Sequence, residues 1–230
     1  AQIFLISELL GNGLTANLEL IIAGSWLLVS FAGLVFKPKE KTEELLLIKS
    51  RKTPLKQIIL YAVPMFLFYL VAGILLSIVF PTIQNHVGND TFYLIWSIPF
   101  ILGAIFAGIQ MDMMGRKFPT IVGLAITGVS LAVLGIMGIS LGYICIIPLA
   151  IGYSFVTISS LIIWADLAPA KSRGKFYGAG FVLITSALLM GLILTGTNFG
   201  IASSAQINAY MLFSSVALFL CIPPLILAEE

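Results

Sequence analysis

The sequence predicts an all-α membrane protein of seven transmembrane helices, on three observations. Of its 230 residues, 60% are hydrophobic and only 10% are charged, against about 25% charged in a soluble domain. Seven separate stretches are apolar over a length that can cross a bilayer, which takes about 20 helical residues. All twelve Lys and Arg residues fall in alternate connections between those stretches. A soluble core of this length has no room for so much apolar side chain, whereas lipid solvates it from outside.

Taken in order, the first stretch covers 18–36. Residues 1–10 are also apolar but too short to span. The chain starts at Ala1 without the basic region of a signal peptide, so this segment is expected to be the tail of a helix that begins upstream. The connection 37–56 is the only long one. It carries Lys37, Lys39, Lys41, Lys49, Arg51, Lys52 and Lys56, and its Thr42-Glu43-Glu44 ahead of Leu45–Ile48 suits the start of a short helix lying on the membrane surface. This loop separates one helix from a block of six, so the expected domains are 1–36, 37–56 and 57–230.

The block of six is placed at 57–80, 92–110, 119–139, 141–165, 177–198 and 207–227. Pro64, Pro99, Pro148, Pro223 and Pro224 lie within its apolar runs. Gly103 to Ala107, Ala104 to Gly108 and Gly174 to Gly178 repeat a small-x-x-x-small spacing that lets helix backbones approach closely in lipid. Ordinary packing accounts for these features, and bends that serve gating would use them too.

Sidedness follows from the cations. Beyond the seven in 37–56, Arg116 and Lys117 follow the third stretch and Lys171, Arg173 and Lys175 follow the fifth. With the chain alternating sides, all twelve share one face, and the positive-inside rule makes that face cytoplasmic. The expectation is a multi-pass protein of the cell membrane, with its N-terminus outside and its C-terminus in the cytoplasm. Cys145 and Cys221 fall about 15 Å apart along the membrane normal at 1.5 Å per residue, too far for a disulfide. Asn89-Asp90-Thr91 in an outer loop is a glycosylation sequon.

Two constellations carry chemistry. The first, Gly108, Asp112, Gly115, Arg116 and Lys117, reads G-x-x-x-D-x-x-G-R-K after the third stretch. Gly108 permits close helix contact, Asp112 is a carboxylate at the membrane boundary, and Gly115 allows a tight reversal at positive φ. Arg116 and Lys117 anchor the next helix at the inner surface. A plain positive-inside turn would use the same residue types. The second, Asp166, Pro169, Arg173, Gly174 and Gly178, reads D-x-x-P-x-x-x-R-G-x-x-x-G after the fifth stretch, where Pro169 should stop the helix.

On these residues the chain resembles the major facilitator superfamily. The first constellation is similar to the family's loop signature G-x-x-x-D-[RK]-x-G-[RK]-[RK], with Met113 where a basic residue is usual. The second is similar to the E-x-x-P-x-x-x-R-G pattern after the tenth helix of sugar-porter-like members, with Asp in place of Glu. The resemblance covers 57–230 as the C-terminal half of a permease, with 18–36 as the sixth helix.

That resemblance implies a six-helix half-bundle of 3+3 inverted repeats, secondary active transport of a small organic solute by alternating access, and an N-terminal six-helix half supplied upstream or by a separate chain. Because Asp112, Asp166, Arg116, Lys117 and Arg173 should cluster at one membrane face, charge pairing predicts that Asp166 pairs with Arg116, that Asp112 pairs with a helix N-terminus or a neighbouring cation, and that such pairs close the cytoplasmic side. The helices 57–80 and 141–165 would line the cavity, which makes Tyr61, Tyr69, Tyr153, Ser154 and Thr157 the candidate solute contacts. Helix–helix hydrogen bonding or interfacial anchoring would employ the same five.

No ionisable residue sits at mid-depth in the block of six, which points to a neutral or amphipathic solute or to a charge from the other half. Neither a cofactor nor a metal nor a nucleic-acid partner is expected; the partners are the bilayer, the other half and the solute. The alternative is a non-transporting accessory subunit of a larger membrane complex. An enzyme is not expected, because the sequence has no His cluster, no His-Glu-x-x-His and no mid-membrane Ser-Lys or Asp pair.

Overall fold

The structure, a computed structural model, describes residues 55–138, 142–168, 173–195 and 204–228. The chain divides into two units, Ala1–Arg51 and Lys52–Glu230. The expected helix at 18–36 and the surface helix of the 37–56 loop lie outside the described residues, as does the count of seven. What is described is all-helical and contains six helices long and apolar enough to cross a membrane.

The first span is built from α1 (Leu55–Ile74), a π turn (Leu75–Val79) and α2 (Phe80–Val87). It runs seven residues past the expected end at 80. Then come α3 (Asn89–Met114), α4 (Lys117–Met137), α5 (Gly142–Asp166) and α6 (Arg173–Leu194). The last span is α7 (Ser204–Leu220) followed by α8 (Ile222–Leu227). The connections are short, so successive spans run antiparallel.

Prolines and glycines set the breaks. Pro81 has no N–H for the carbonyl of Ser77, and the helix widens into the π turn just before it. Side chains occupy carbonyls around this turn: Ser77 Oγ donates to Ile74 O at 3.0 Å and Thr82 Oγ1 to Ile78 O at 2.6 Å. Lipid offers no water to carbonyls released in this way, so hydroxyls nearby take that role. Pro223 and Pro224 act alike, and the helix interrupts at Cys221 before restarting as α8. Gly115, between α3 and α4, has φ 78° and ψ 178°, a region essentially closed to residues with a Cβ.

The spans pair in a regular way. α1 packs along α6, α5 packs along both α3 and α4, and α4 packs along α7. Two crossings are backbone-close. A Cβ on Gly191 would collide with Leu70 O, and one on Gly73 would lie 2.9 Å from Gly191 Cα. Gly123 and Gly152 meet similarly where α4 crosses α5, each hypothetical Cβ falling 2.8 Å from the other's carbonyl oxygen.

The core between the helices holds Met65, Phe68, Ile74, Leu124, Leu131, Leu134, Ile146, Leu149 and Met211, all fully buried. Large apolar side chains cover the outside as well, among them Ile98, Ile101, Ile105, Phe106, Phe181, Val182 and Ile193. A soluble protein rarely exposes apolar patches beyond a few hundred Å², so these surfaces belong in lipid or against another protein. α3 and α6 are the least covered spans.

Candidate functional site

Arg116, Lys117, Lys56, Lys175 and the backbone of Arg173 all fall at one end of the bundle; Asp90 falls at the other. The basic end is where the two constellations meet. Gly115 reverses the chain so that Arg116 caps α4 and its side chain turns back under α3. Its Nε donates to Asp166 Oδ2 at 2.8 Å, at the end of α5. Its Nη1 donates to Met111 O at 3.3 Å and lies 3.8 Å from Asp112 Oδ1. One guanidinium thus ties the α3 terminus to the α5 terminus across fifty residues of sequence.

The fork is partly shielded, with Arg116 34%, Asp166 50% and Asp112 85% exposed. Pairs as exposed as these are worth at most about 1 kcal/mol each. Lys117 points elsewhere, donating from Nζ to Ile226 O at 2.7 Å and Ala228 O at 2.8 Å. These are orphan carbonyls at the end of α8, and a cation there also meets the negative end of the helix dipole. Sequence reading gave Lys117 an anchoring role without a partner, because 109 residues separate it from Ile226.

The remaining motif residues are placed as follows. Pro169 lies outside the described residues. Arg173 is the first residue of α6. A Cβ on Gly108, Gly174 or Gly178 would find nothing within 4 Å among the described residues. Within the described residues the close approach on α3 is made by Gly103, whose hypothetical Cβ would strike Ser154 Oγ and lie 3.0 Å from Ile151 Cα.

The five cavity candidates separate. Tyr61 is buried in the core. Tyr69 OH shares a hydrogen bond of 2.6 Å with Ser160 Oγ, linking α1 to α5. Ser154 is buried against Gly103 and donates to Ile151 O at 2.7 Å, so it belongs to the α3–α5 contact. Thr157 and Tyr153 are half-buried; Thr157 Oγ1 donates to Tyr153 O at 2.8 Å.

Tyr153 joins a ring cluster that sequence reading missed. Its centroid lies 5.1 Å from Phe68, 5.6 Å from Trp96 and 6.3 Å from Phe100. Trp96 and Phe100 are four apart on one face of α3, a spacing visible in the sequence, but nothing there shows which helix they face. At the end away from the cations, a hollow of about 380 Å³ is lined by Ile74, Leu194, Gln206, Ala209, Tyr210 and Phe213. Cys145 and Cys221 are buried and unbridged, and no three His, Cys, Asp or Glu side chains gather among the described residues.

No family model matches this chain, and no curated protein matches it.

Proposed function

We propose that the chain is the C-terminal half of a secondary transporter of the major-facilitator type, moving a small organic solute by alternating access. The observation that carries this reading is the Arg116–Asp166 bridge, which joins the two motifs at the basic end of the bundle. A turn that served only topology would need its cations in the headgroup layer, not on a carboxylate of another span.

The packing supports the same reading. Let the described spans be two successive triplets, the first ending with α4 and the second beginning with α5. The first member of each triplet then packs along the second member of the other: α1 on α6, and α5 on α3. The two third members, α4 and α7, pack on each other. That interchange is what inverted repeats around a common axis produce.

The other half is expected against α3 and α6, whose outer faces carry open space beside Gly108, Gly174 and Gly178. In this reading the basic end is cytoplasmic, and the weak Arg116–Asp166 and Arg116–Asp112 pairs break and reform as the halves rock. Pairs of about 1 kcal/mol suit two states that stay nearly balanced.

The test is reconstitution of the complete protein, with its N-terminal half, in proteoliposomes. Saturable counterflow of a neutral or amphipathic solute is the expected result. Absence of counterflow for every solute class, together with stoichiometric copurification in a larger assembly, would replace this reading by that of an accessory subunit.

A further inference from the structure

The hollow at the end of the bundle away from the cations opens sideways into the apolar surface of the spans. We propose that it seats an acyl chain of a membrane phospholipid. This requires the spans to lie in a bilayer; it does not require the protein to transport anything.

The hollow follows from the packing of three helices. α6 and α7 each pack on α1 but do not pack along each other. One turn deeper, Gly73 and Gly191 bring α1 and α6 to backbone contact. Thr195 Oγ1 donates to Ser77 Oγ at 2.8 Å and holds the end of α6 against the π turn. α7 stands apart from that pair, and Ala209 puts only a methyl into the gap. What is left is about 380 Å³, with Ile74, 1% exposed, as its floor. Leu194 and Phe213 form its rims and are 50% and 56% exposed. The hollow is therefore closed towards α1 and open between α6 and α7, continuous with side chains that lipid solvates.

The lining selects the ligand. The side chains of Ile74, Leu194, Ala209 and Phe213 offer no hydrogen bond. Ordered water needs about two to four polar partners, and a charged ligand needs a counter-charge that the lining does not contain. Hydrocarbon needs neither. The polar lining side chains, Gln206 and Tyr210, lie on the first two turns of α7, nearest the end of the span. Tyrosine is favoured at the level of the headgroups. From Gln206 to Phe213 the wall runs about 10 Å along α7 at 1.5 Å per residue. Polar above and apolar beneath, it matches an ester group followed by its chain.

An acyl chain that leaves bulk lipid gains no hydrophobic transfer energy, because lipid tails are as apolar as this wall. Its hold comes from dispersion contacts with α1, α6 and α7, which an unfilled hollow forfeits. The membrane presents this ligand at high concentration, so a modest preference suffices for occupancy.

The test places the complete protein in phosphatidylcholine liposomes containing a phosphatidylcholine with a diazirine midway along one acyl chain. After irradiation, labelled segments are mapped by mass spectrometry. Labelling at Leu194 and Phe213 should exceed that at Ile136, an exposed residue of α4 at the same end of the bundle, by about tenfold. Ala209→Trp fills the gap from an exposed position and should lower labelling at Leu194 by about tenfold, with Ile136 unchanged. Ala209→Leu is the second variant should Ala209→Trp fail to fold.

Labelling at Leu194 and Phe213 no greater than at Ile136 would reduce the contact to ordinary surrounding lipid and overturn the proposal. Labelling that survives the filled gap would also overturn it, as would protection of the hollow in the complete protein, which would assign it to a protein contact. Labelling by a diazirine sterol that displaces the acyl probe would overturn it in favour of a sterol site. Counterflow, present or absent, bears on the transport reading alone, because the labelling is read without it.

Discussion

Arg116 Nε lies 2.8 Å from Asp166 Oδ2 and so fastens the α3–α4 turn to the end of α5. The same guanidinium is 3.8 Å from Asp112. Asp166→Arg places two cations together and should slow transport severalfold while the protein still folds. The double variant Arg116→Asp with Asp166→Arg should recover part of that rate, incompletely, because the carboxylate introduced at position 116 would stand near Asp112. A double-mutant cycle on unfolding should give a coupling of about 0.2–1 kcal/mol, as for other exposed pairs. Unchanged transport in Asp166→Arg would remove the bridge from the mechanism.

The glycines divide into two groups with opposite expectations. Gly73 and Gly191 hold α1 and α6 at backbone contact. Gly73→Ala or Gly191→Ala should cost about 1–3 kcal/mol through overpacking, measured as a lower unfolding midpoint in mixed micelles. Gly178→Ala meets nothing within 4 Å among the described residues, so the stability of the chain by itself should not fall. A loss of transport in Gly178→Ala at full stability would then locate the contact with the other half.

Gly115 has a backbone reserved for glycine. Gly115→Ala should cost about 1–3 kcal/mol and distort the placement of Arg116. Parallel losses in unfolding midpoint and transport are expected. A fully stable Gly115→Ala would show that the turn relaxes to another conformation without penalty.

The ends of α3 test sidedness. This helix has 26 residues, so Asp90 and Met113 lie on opposite sides of a hydrocarbon core about 30 Å thick. Both are exposed, and the two native cysteines are buried. A membrane-impermeant maleimide added to intact cells should label Asp90→Cys but not Met113→Cys. The reverse pattern would invert the topology and take the transport reading with it.

Tyr69 and Ser160 test how much a buried hydroxyl pair contributes. Tyr69→Phe removes their 2.6 Å bond, but Ser160 keeps its 2.7 Å bond to Thr157 O. The expected loss of stability is small, about 0.6 kcal/mol, the usual worth of such pairs in membranes. A much larger loss, read from an unfolding titration, would mark the pair as a structural pin between α1 and α5.

The existence of the six described spans was legible because crossing a bilayer is a local property. The transfer free energy of about 20 successive residues decides it, with no knowledge of neighbours. The same holds for the grouping of cations at one end and for the reversal at Gly115, where the absence of a Cβ is the whole requirement. Span ends were less legible: the first span continues to Val87 because the π turn absorbs Pro81 instead of stopping the helix there.

The Arg116–Asp166 pair aside, which the charges of the two motifs already pointed to, side-chain partners were decided by the tertiary structure. Gly108 and Gly103 have the same spacing logic, yet only Gly103 meets another helix among the described residues. Ser154 and Tyr153 are adjacent on α5, yet one faces the α3 backbone and the other a ring cluster. Lys117 finds its carbonyls on α8, 109 and 111 residues away. Each outcome depends on the rotation of a helix about its axis and on where it crosses its neighbour. Those quantities are fixed by the fit of two distant surfaces, which no single segment of chain contains.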